Sequence, residues 1–402
     1  MLISDAPPTA PAAVRDAAQT LAACGYSAWL GGDSLTDHWC GTPGHRPALP
    51  TVMTNAPVEA ALAAFPRGVP TAPGILALPS ARGTVDLITE QTLDGVPDPF
   101  GFSLQAIAWD LQNDELIDPL NGVEDLRRGN LRTLGDPVTT LERSPLLALR
   151  ALRLVGELGV HPDSALVAAL PTTALAPRPR LWRHGRTEIA RALCSPGASD
   201  ALELANVSGL ASTLAPGADP DLGRWIDSLP VQAELRFAVW LGASAESWLR
   251  AWRYHRSLTD RVIGLARYHP IDEAARPRHD PSISRLLGRL SPEDRHTLEV
   301  ARNAQLASGT LPSTAVTEAR EKLAALRKAI DRVERNQRFT EARGALALSG
   351  DQVIERLGWP PGPEIGSALR YLTGLVAVEP ERNTPEQLEA ALEEWARARS
   401  RE

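Results

Sequence analysis

Apolar and polar positions follow two regimes along the chain. Up to about residue 137 the apolar residues fall in short runs separated by Gly, Pro and Asn-Asp signals, which predicts a mixed α/β region. Beyond residue 140 they recur at spacings of three and four, as in Leu146, Leu149 and Leu152 or Leu323, Leu326 and Ile330, which predicts an almost wholly helical remainder. Within the first regime, residues 14–24 predict a helix, and 26–30 a strand that ends at Gly31-Gly32 and leads into another helix. Residues 57–65 predict a helix with proline in its first turn, 74–78 and 84–88 two strands, and 112–115 a turn before Leu116-Ile117. Residues 1–13 are rich in Pro and Ala and predict a ragged start. Pro/Gly punctuation near 195–197, 215–220, 270–281 and 359–363 divides the helical part, and no repeat of fixed period occurs. The fold class expected is α+β, a small mixed head followed by a long helical part.

Composition narrows this picture without changing it. Apolar residues make up 43% of the chain and charged residues 23%, the balance of an ordinary globular protein. No apolar run reaches the roughly 20 residues of a membrane-spanning helix, and the start lacks the basic and apolar regions of a secretory signal, so a cytoplasmic protein without a membrane partner is expected. Cys24, Cys40 and Cys194 have no metal-ligand spacing and read as free thiols. The formal net charge is −7, so a nucleic-acid partner is not implied by the sum and has to come from local basic stretches. Positive charge is almost all arginine, since Lys322 and Lys328 are the only lysines, and arginine suits bidentate phosphate contacts.

Four segments carry a family signal. The first is 22–32, with Tyr26-Ser27-Ala28-Trp29-Leu30 running into Gly31-Gly32. The second is Leu116-Ile117-Asp118-Pro119-Leu120-Asn121-Gly122, continued by Gly129-Asn130-Leu131-Arg132-Thr133 and Gly135-Asp136-Pro137. The third joins 348–354 to 360–366, and Asn383-Thr384 completes the series. In this order and spacing the segments resemble the class II tRNA nucleotidyltransferases, the family of CCA-adding enzymes and bacterial poly(A) polymerases. The resemblance spans residues 14 to about 395 and implies a nucleotidyltransferase-like head over 1–137, neck helices over 138–205, and a helical body and tail over 206–402.

The resemblance also implies a chemistry that these residues do not match. Nucleotidyl transfer develops charge on phosphoryl oxygens, which metal ions held by an Asp-x-Asp pair on one strand face neutralise. Counted back from Thr54-Asn55-Ala56, the two Asp positions fall on Leu49 and Thr51, with Pro50 between them. Neither residue is a carboxylate, and Pro50 is expected to break the strand or shift it to a sheet edge. Asp86, in Gly83-Thr84-Val85-Asp86-Leu87, stands at the family's third carboxylate. Gly31 and Gly32 are either a phosphate cradle or simply a tight turn. The family's Arg-Arg-Asp-Phe-Thr-x-Asn aligns with Pro99-Phe100-Gly101-Phe102-Ser103-Leu104-Gln105, so the charges are gone and Gln105 replaces Asn. Aligned on Leu149-Arg150-Ala151-Leu152-Arg153, the Asp and Arg that present a base-pairing edge fall on Ser144 and Leu147. Of the later Glu-Arg-x-x-x-Glu pattern only Glu188 survives.

What remains is basic. Arg143, Arg150 and Arg153 are spaced to share a helix face, and Arg180, Arg183 and Arg186 surround Trp182, so the six are candidate RNA contacts. The competing reading pairs them internally, with Glu142 or Glu188. His279-Asp280 resembles the pair of a metal phosphohydrolase but lacks matching ligands, and the tryptophans of 225–252 read as core anchors. The expectation is a family homologue that has lost nucleotidyl transfer and keeps a tRNA, other RNA or protein partner, with no cofactor. An active enzyme drawing carboxylates from Asp33, Asp37 and Asp86 and requiring Mg2+ is the first alternative. A protein-interaction scaffold without RNA affinity is the second.

Overall fold

The structure, a computed structural model, describes residues 8–40, 50–72, 74–80, 83–90, 101–172, 175 and 179–399. The chain divides into two compact units, residues 1–267 with 303–310, and residues 268–302 with 311–402.

The first unit opens with helix α1 (Ala12–Ala23), which buries Val14, Ala17, Ala18 and Leu21 at helical spacing against the sheet. The sheet has seven strands: β1 (Ala28–Gly31), β2 (Thr51–Thr54), β3 (Val69–Ala72), β4 (Ile75–Ser80), β5 (Gly83–Ile88), β6 (Ala108–Asp110) and β7 (Glu115–Ile117). Their order is β3-β4-β5-β2-β1-β6-β7, and only β2 and β5 run parallel among neighbours. Strand β1 is paired on both sides and buried throughout, hence its unbroken apolar run. Strand β2 corrects the expectation for Pro50: it lies in the middle of the sheet, not at an edge. It starts one residue after the proline, and the Pro50 carbonyl accepts a hydrogen bond from the Asp86 amide at 2.9 Å. Proline thus costs no ladder donor here.

Helix α2 (Asp33–Cys40) follows β1, and α3 (Val58–Ala64) follows β2. Helix α4 (Gly122–Arg128) leads to α5 (Pro137–Arg143), capped by Asp136, whose carboxylate accepts the Thr139 amide at 2.9 Å. Pro145 ends that run and starts α6 (Leu146–Leu158), which is buried over most of its circumference and stops at Gly159. After α7 (Ser164–Ala169), helix α8 (Pro179–Cys194) packs along α6. Farther on, Trp225, Trp240, Trp248 and Trp252 are buried, the core role expected of them. Phe237 joins Trp240, Trp248 and Tyr254 with ring centroids 5.3–6.3 Å apart.

The second unit is helical among its described residues and has its own core, including Val353, Ile365, Leu372, Leu388 and Leu392. Its longest helix, Ser313–Ala345, spans 33 residues. Ser349 and Gln352 form a capping box that starts the helix Gly350–Leu357. His279 precedes a helix whose first residue, Asp280, pairs with Arg332, so that dipeptide serves a helix start. Asp272 and Arg302 form a buried pair, Nε to Oδ1 at 2.7 Å. Beside them burial, reinforced by Arg302, pushes the His269 imidazole down to about 4.

A neutral buried histidine has a pH signature. His269 binds a proton more readily unfolded than folded, so its contribution is fully present above pH 6.5 and is lost as pH falls toward about 4. Urea unfolding between pH 7 and 4 is expected to show the second unit losing up to about 3 kcal/mol more than a His269→Gln variant does. Equal pH slopes for both chains would contradict this.

Candidate functional site

The Gly31-Gly32 turn carries β1 into α2. Gly32 has φ +63°, and a Cβ on Gly31 would overlap the Met53 side chain, so both glycines answer to backbone geometry and packing. Beside the turn, Thr51 of β2 pairs in register with Asp86 of β5. The Thr51 amide donates to Ser34 Oγ at 2.8 Å, tying the start of β2 to the first turn of α2. Burial raises the Asp86 carboxyl above the usual carboxylate range, and His184 of α8 offsets part of that rise. Leu49 lies outside the described residues.

One residue past the turn, Asp33 enters a network of charges. Its carboxylate accepts from Gln105 Nε2 at 2.5 Å, Arg153 Nη2 at 2.9 Å and Arg191 Nη1 at 3.2 Å. Arg153 also binds Glu157 at 2.8 Å and, through Nε, Glu188. Arg191 Nε reaches Glu157 at 2.7 Å, and Arg150 Nε reaches Glu188 at 3.2 Å. The Arg153 side chain is 1% exposed and that of Glu157 2%. Burial opposes the Asp33 charge, but Arg153, Arg150 and Arg191 outweigh it and hold the carboxyl far below its ordinary value. Burial likewise opposes the Arg153 charge, and Asp33, Glu188 and Glu157 more than restore it.

This geometry corrects the arginine expectation. Arg143 ends α5, whereas Arg150 and Arg153 belong to α6, so the Ser144-Pro145 break removes the shared face. Arg150 and Arg153 are held by Glu188, the internal partner that the sequence offered, and Arg153 is not at the surface. Arg186 donates to the Arg253 carbonyl and lies 6.0 Å from the Tyr254 ring centroid. The side chains of Arg180, Arg183 and Asp37 lie outside the described residues. Three members of the network, Glu157, Arg191 and the Asp33 carboxylate in its actual role, were not singled out from sequence. The available signal was their spacing: Arg153 and Glu157 are four apart, and Glu188 and Arg191 three apart, on helices that face each other.

The replaced nucleotide-reading positions do come together. Gly101, Ser144 and Leu147 line one open cavity of about 580 Å3, together with Arg132 and Arg143. Arg132 is held by Asp125 at 2.8 Å and by the Leu120 carbonyl at 2.9 Å. Gly101 has φ +70°, and a Cβ there would run into the Leu147 side chain. Leucine therefore occupies the space that a side chain at 101 would need. Gln105, the fourth such residue, faces Asp33 instead.

No family model matches the chain. It is 28% identical over 319 residues, 75% of this chain and 72% of the relative, to a CCA-adding enzyme of Geobacillus stearothermophilus. It is 32% identical over 238 residues, 56% of this chain and 59% of the relative, to a CC-adding tRNA nucleotidyltransferase of Deinococcus radiodurans. Its fold is similar, at TM-score 0.60 and 24% identity over 96% of this chain and 98% of the other, to a Bacillus stearothermophilus CCA-adding enzyme solved with CTP. The chain is similar in sequence and in fold to CCA-adding enzymes, as the class II tRNA nucleotidyltransferase resemblance implied.

Against that family the site departs in its charges. Among the described residues no group of three or more His, Cys, Asp or Glu side chains is placed to hold a metal ion. Thr51 stands opposite Asp86 with a neutral hydroxyl, and Asp33 is committed to arginines. The described residues of this nucleotidyltransferase relative do not fit a pair of divalent cations, which call for several carboxylates.

Two stability outcomes follow from the packing. Arg153→Ala leaves buried carboxylates uncompensated and is expected to cost about 3–5 kcal/mol in urea unfolding, against roughly 0.5 kcal/mol or less for Arg143→Ala. A small loss at Arg153 would mean the network is not buried as described. Gly101→Asp is expected to lose about 1–3 kcal/mol through backbone strain and overlap, and adding Leu147→Ala to recover part of it. No recovery in the double variant would deny that the two positions share one space.

Proposed function

We propose that this chain is a tRNA nucleotidyltransferase homologue that has given up two-metal nucleotidyl transfer and keeps the binding of tRNA or tRNA-like RNA. The observation that carries the first half is the pairing of Thr51 with Asp86 in the central parallel ladder while Asp33 is bound by Arg153 and Arg191. In-line transfer needs metal ions to hold the attacking and leaving oxygens, and a single half-buried carboxylate is a poor host for them. The altered cavity supports the same reading. Ser144, Leu147 and Gly101 cannot present the charged edge that the family resemblance implies at those positions.

The RNA half of the reading rests on the relatives, one of which is named a tRNA nucleotidyltransferase, and on Arg143 and Arg132 at the cavity. Arginines at an open cavity suit an RNA 3′ end, whose phosphates and unstacked bases fit guanidinium contacts. The protein is then a reader of RNA ends rather than an extender of them.

The test has two arms. Incubation with tRNA transcripts with and without the terminal CCA, Mg2+ or Mn2+, and each labelled nucleoside triphosphate is expected to give no incorporation above background. Incorporation that disappears in Asp86→Ala would overturn the loss of transfer and restore the active-enzyme alternative. Filter binding of the same transcripts over a salt series is expected to show log K falling with log salt, and Arg143→Ala to weaken binding several-fold with a shallower slope. Absence of affinity even at low salt would leave the protein-scaffold alternative.

A further inference from the structure

The Asp33 carboxylate sits where an anion has every reason to be. It lies at the first residue of α2, directly after a Gly-Gly turn, at the end of the helix whose dipole favours negative charge. Two guanidiniums and one amide donate to it, from Arg153, Arg191 and Gln105. Gln105 is 2% exposed, and its Oε1 has no hydrogen-bond partner, so this side chain is ordered by the one bond that it makes to Asp33. A buried amide left half-satisfied is costly, and its orientation is set by the anion that it faces.

We propose that Asp33 is a built-in anion that fills a phosphate cradle from within the chain. The inference deepens the proposed function, resting on that reading for the class of ligand displaced, a phosphate or pyrophosphate group. The charge balance supports it. Around Arg153 three arginines, Arg150, Arg153 and Arg191, face three carboxylates, Asp33, Glu157 and Glu188. With Asp33 in place the cluster is neutral and has no charge to offer a ligand. Without it, a net positive charge and a buried amide donor converge on the position that the carboxylate now fills. Multidentate guanidinium contacts of that kind are the usual means of holding phosphate.

The test removes the internal anion and supplies an external one. Isothermal titration with inorganic pyrophosphate, without metal, is expected to show binding to Asp33→Ala at least about tenfold tighter than to the wild-type chain. Asp33→Glu, which keeps the charge, is expected to stay at the wild-type level, and Asp33→Ala with Arg191→Ala to lose the gain. Should Asp33→Ala unfold in anion-free buffer, pyrophosphate is expected to restore its cooperative thermal transition. A folded Asp33→Ala with wild-type affinity, a wild-type chain that binds as tightly, or an unfolded variant that pyrophosphate does not rescue would each overturn the proposal. The readout is anion binding and not nucleotide incorporation, so this inference and the loss of transfer can fail separately.

Discussion

A guanidinium at 1% exposure needs compensation on every side, and the arrangement around Arg153 follows from that requirement. Removing a charge from water costs several kcal/mol even in a relaxed protein, and the cost is offset only by close, well-aligned partners. Arg153 draws them from three places: Asp33 at the start of α2, Glu157 one turn along its own helix, and Glu188 on α8. Arg191 and Arg150 then neutralise what those carboxylates leave over. The Gly-Gly turn, α6 and α8 are thereby fixed to one another by charge as well as by apolar packing. Asp33 is thereby committed to arginines, and Arg153 is buried rather than at the surface. Each already has an oppositely charged partner within this network.

Several positions that the resemblance aligns with functional residues make contacts of their own, although Gln105 Oε1 stays buried without a partner. Here Leu147 reaches into the space that a side chain at 101 would take. Gln105 turns to Asp33, and Arg132 pairs with Asp125. On the sheet, Thr51 keeps its register with Asp86 and adds a hydrogen bond to Ser34. A side chain restored at position 101 would meet Leu147.

Much of this was legible in the sequence because it is local. The switch from mixed period to helical period near residue 140, the helix before Cys24, the strand into Gly31, and strands near 75–80 and 83–88 all depend on patterns within a few residues. Strands β3 and β6 were not foreseen. They are four and three residues long, and β3 contains a proline, which suits it to the sheet edge it occupies. The reading of Pro50 as a breaker failed because proline just before a strand removes no ladder bond. The arginine face failed at Ser144-Pro145, where a spacing rule valid for one helix was carried across two. The network itself was out of reach: Arg153 and Asp33 are 120 residues apart in sequence, and spacing says nothing about partners that only the fold brings together. Which positions differ from the family pattern was readable; what those positions contact in the fold was not.

The same bookkeeping of partners bears on the proposed binding of RNA. With a net charge of −7 the chain has no overall field to attract a polyanion, and association has to rely on local arginines. Those of the central network are spent on carboxylates, Arg302 on Asp272, and Arg332 on Asp280. An arginine already paired gives phosphate little net gain, because the new contact displaces an existing one. Arg143, which the fold leaves exposed at the cavity, stands outside that network. Arginine used as internal cement holds the fold together at the positions where those carboxylates lie, and a ligand there would have to displace one of them.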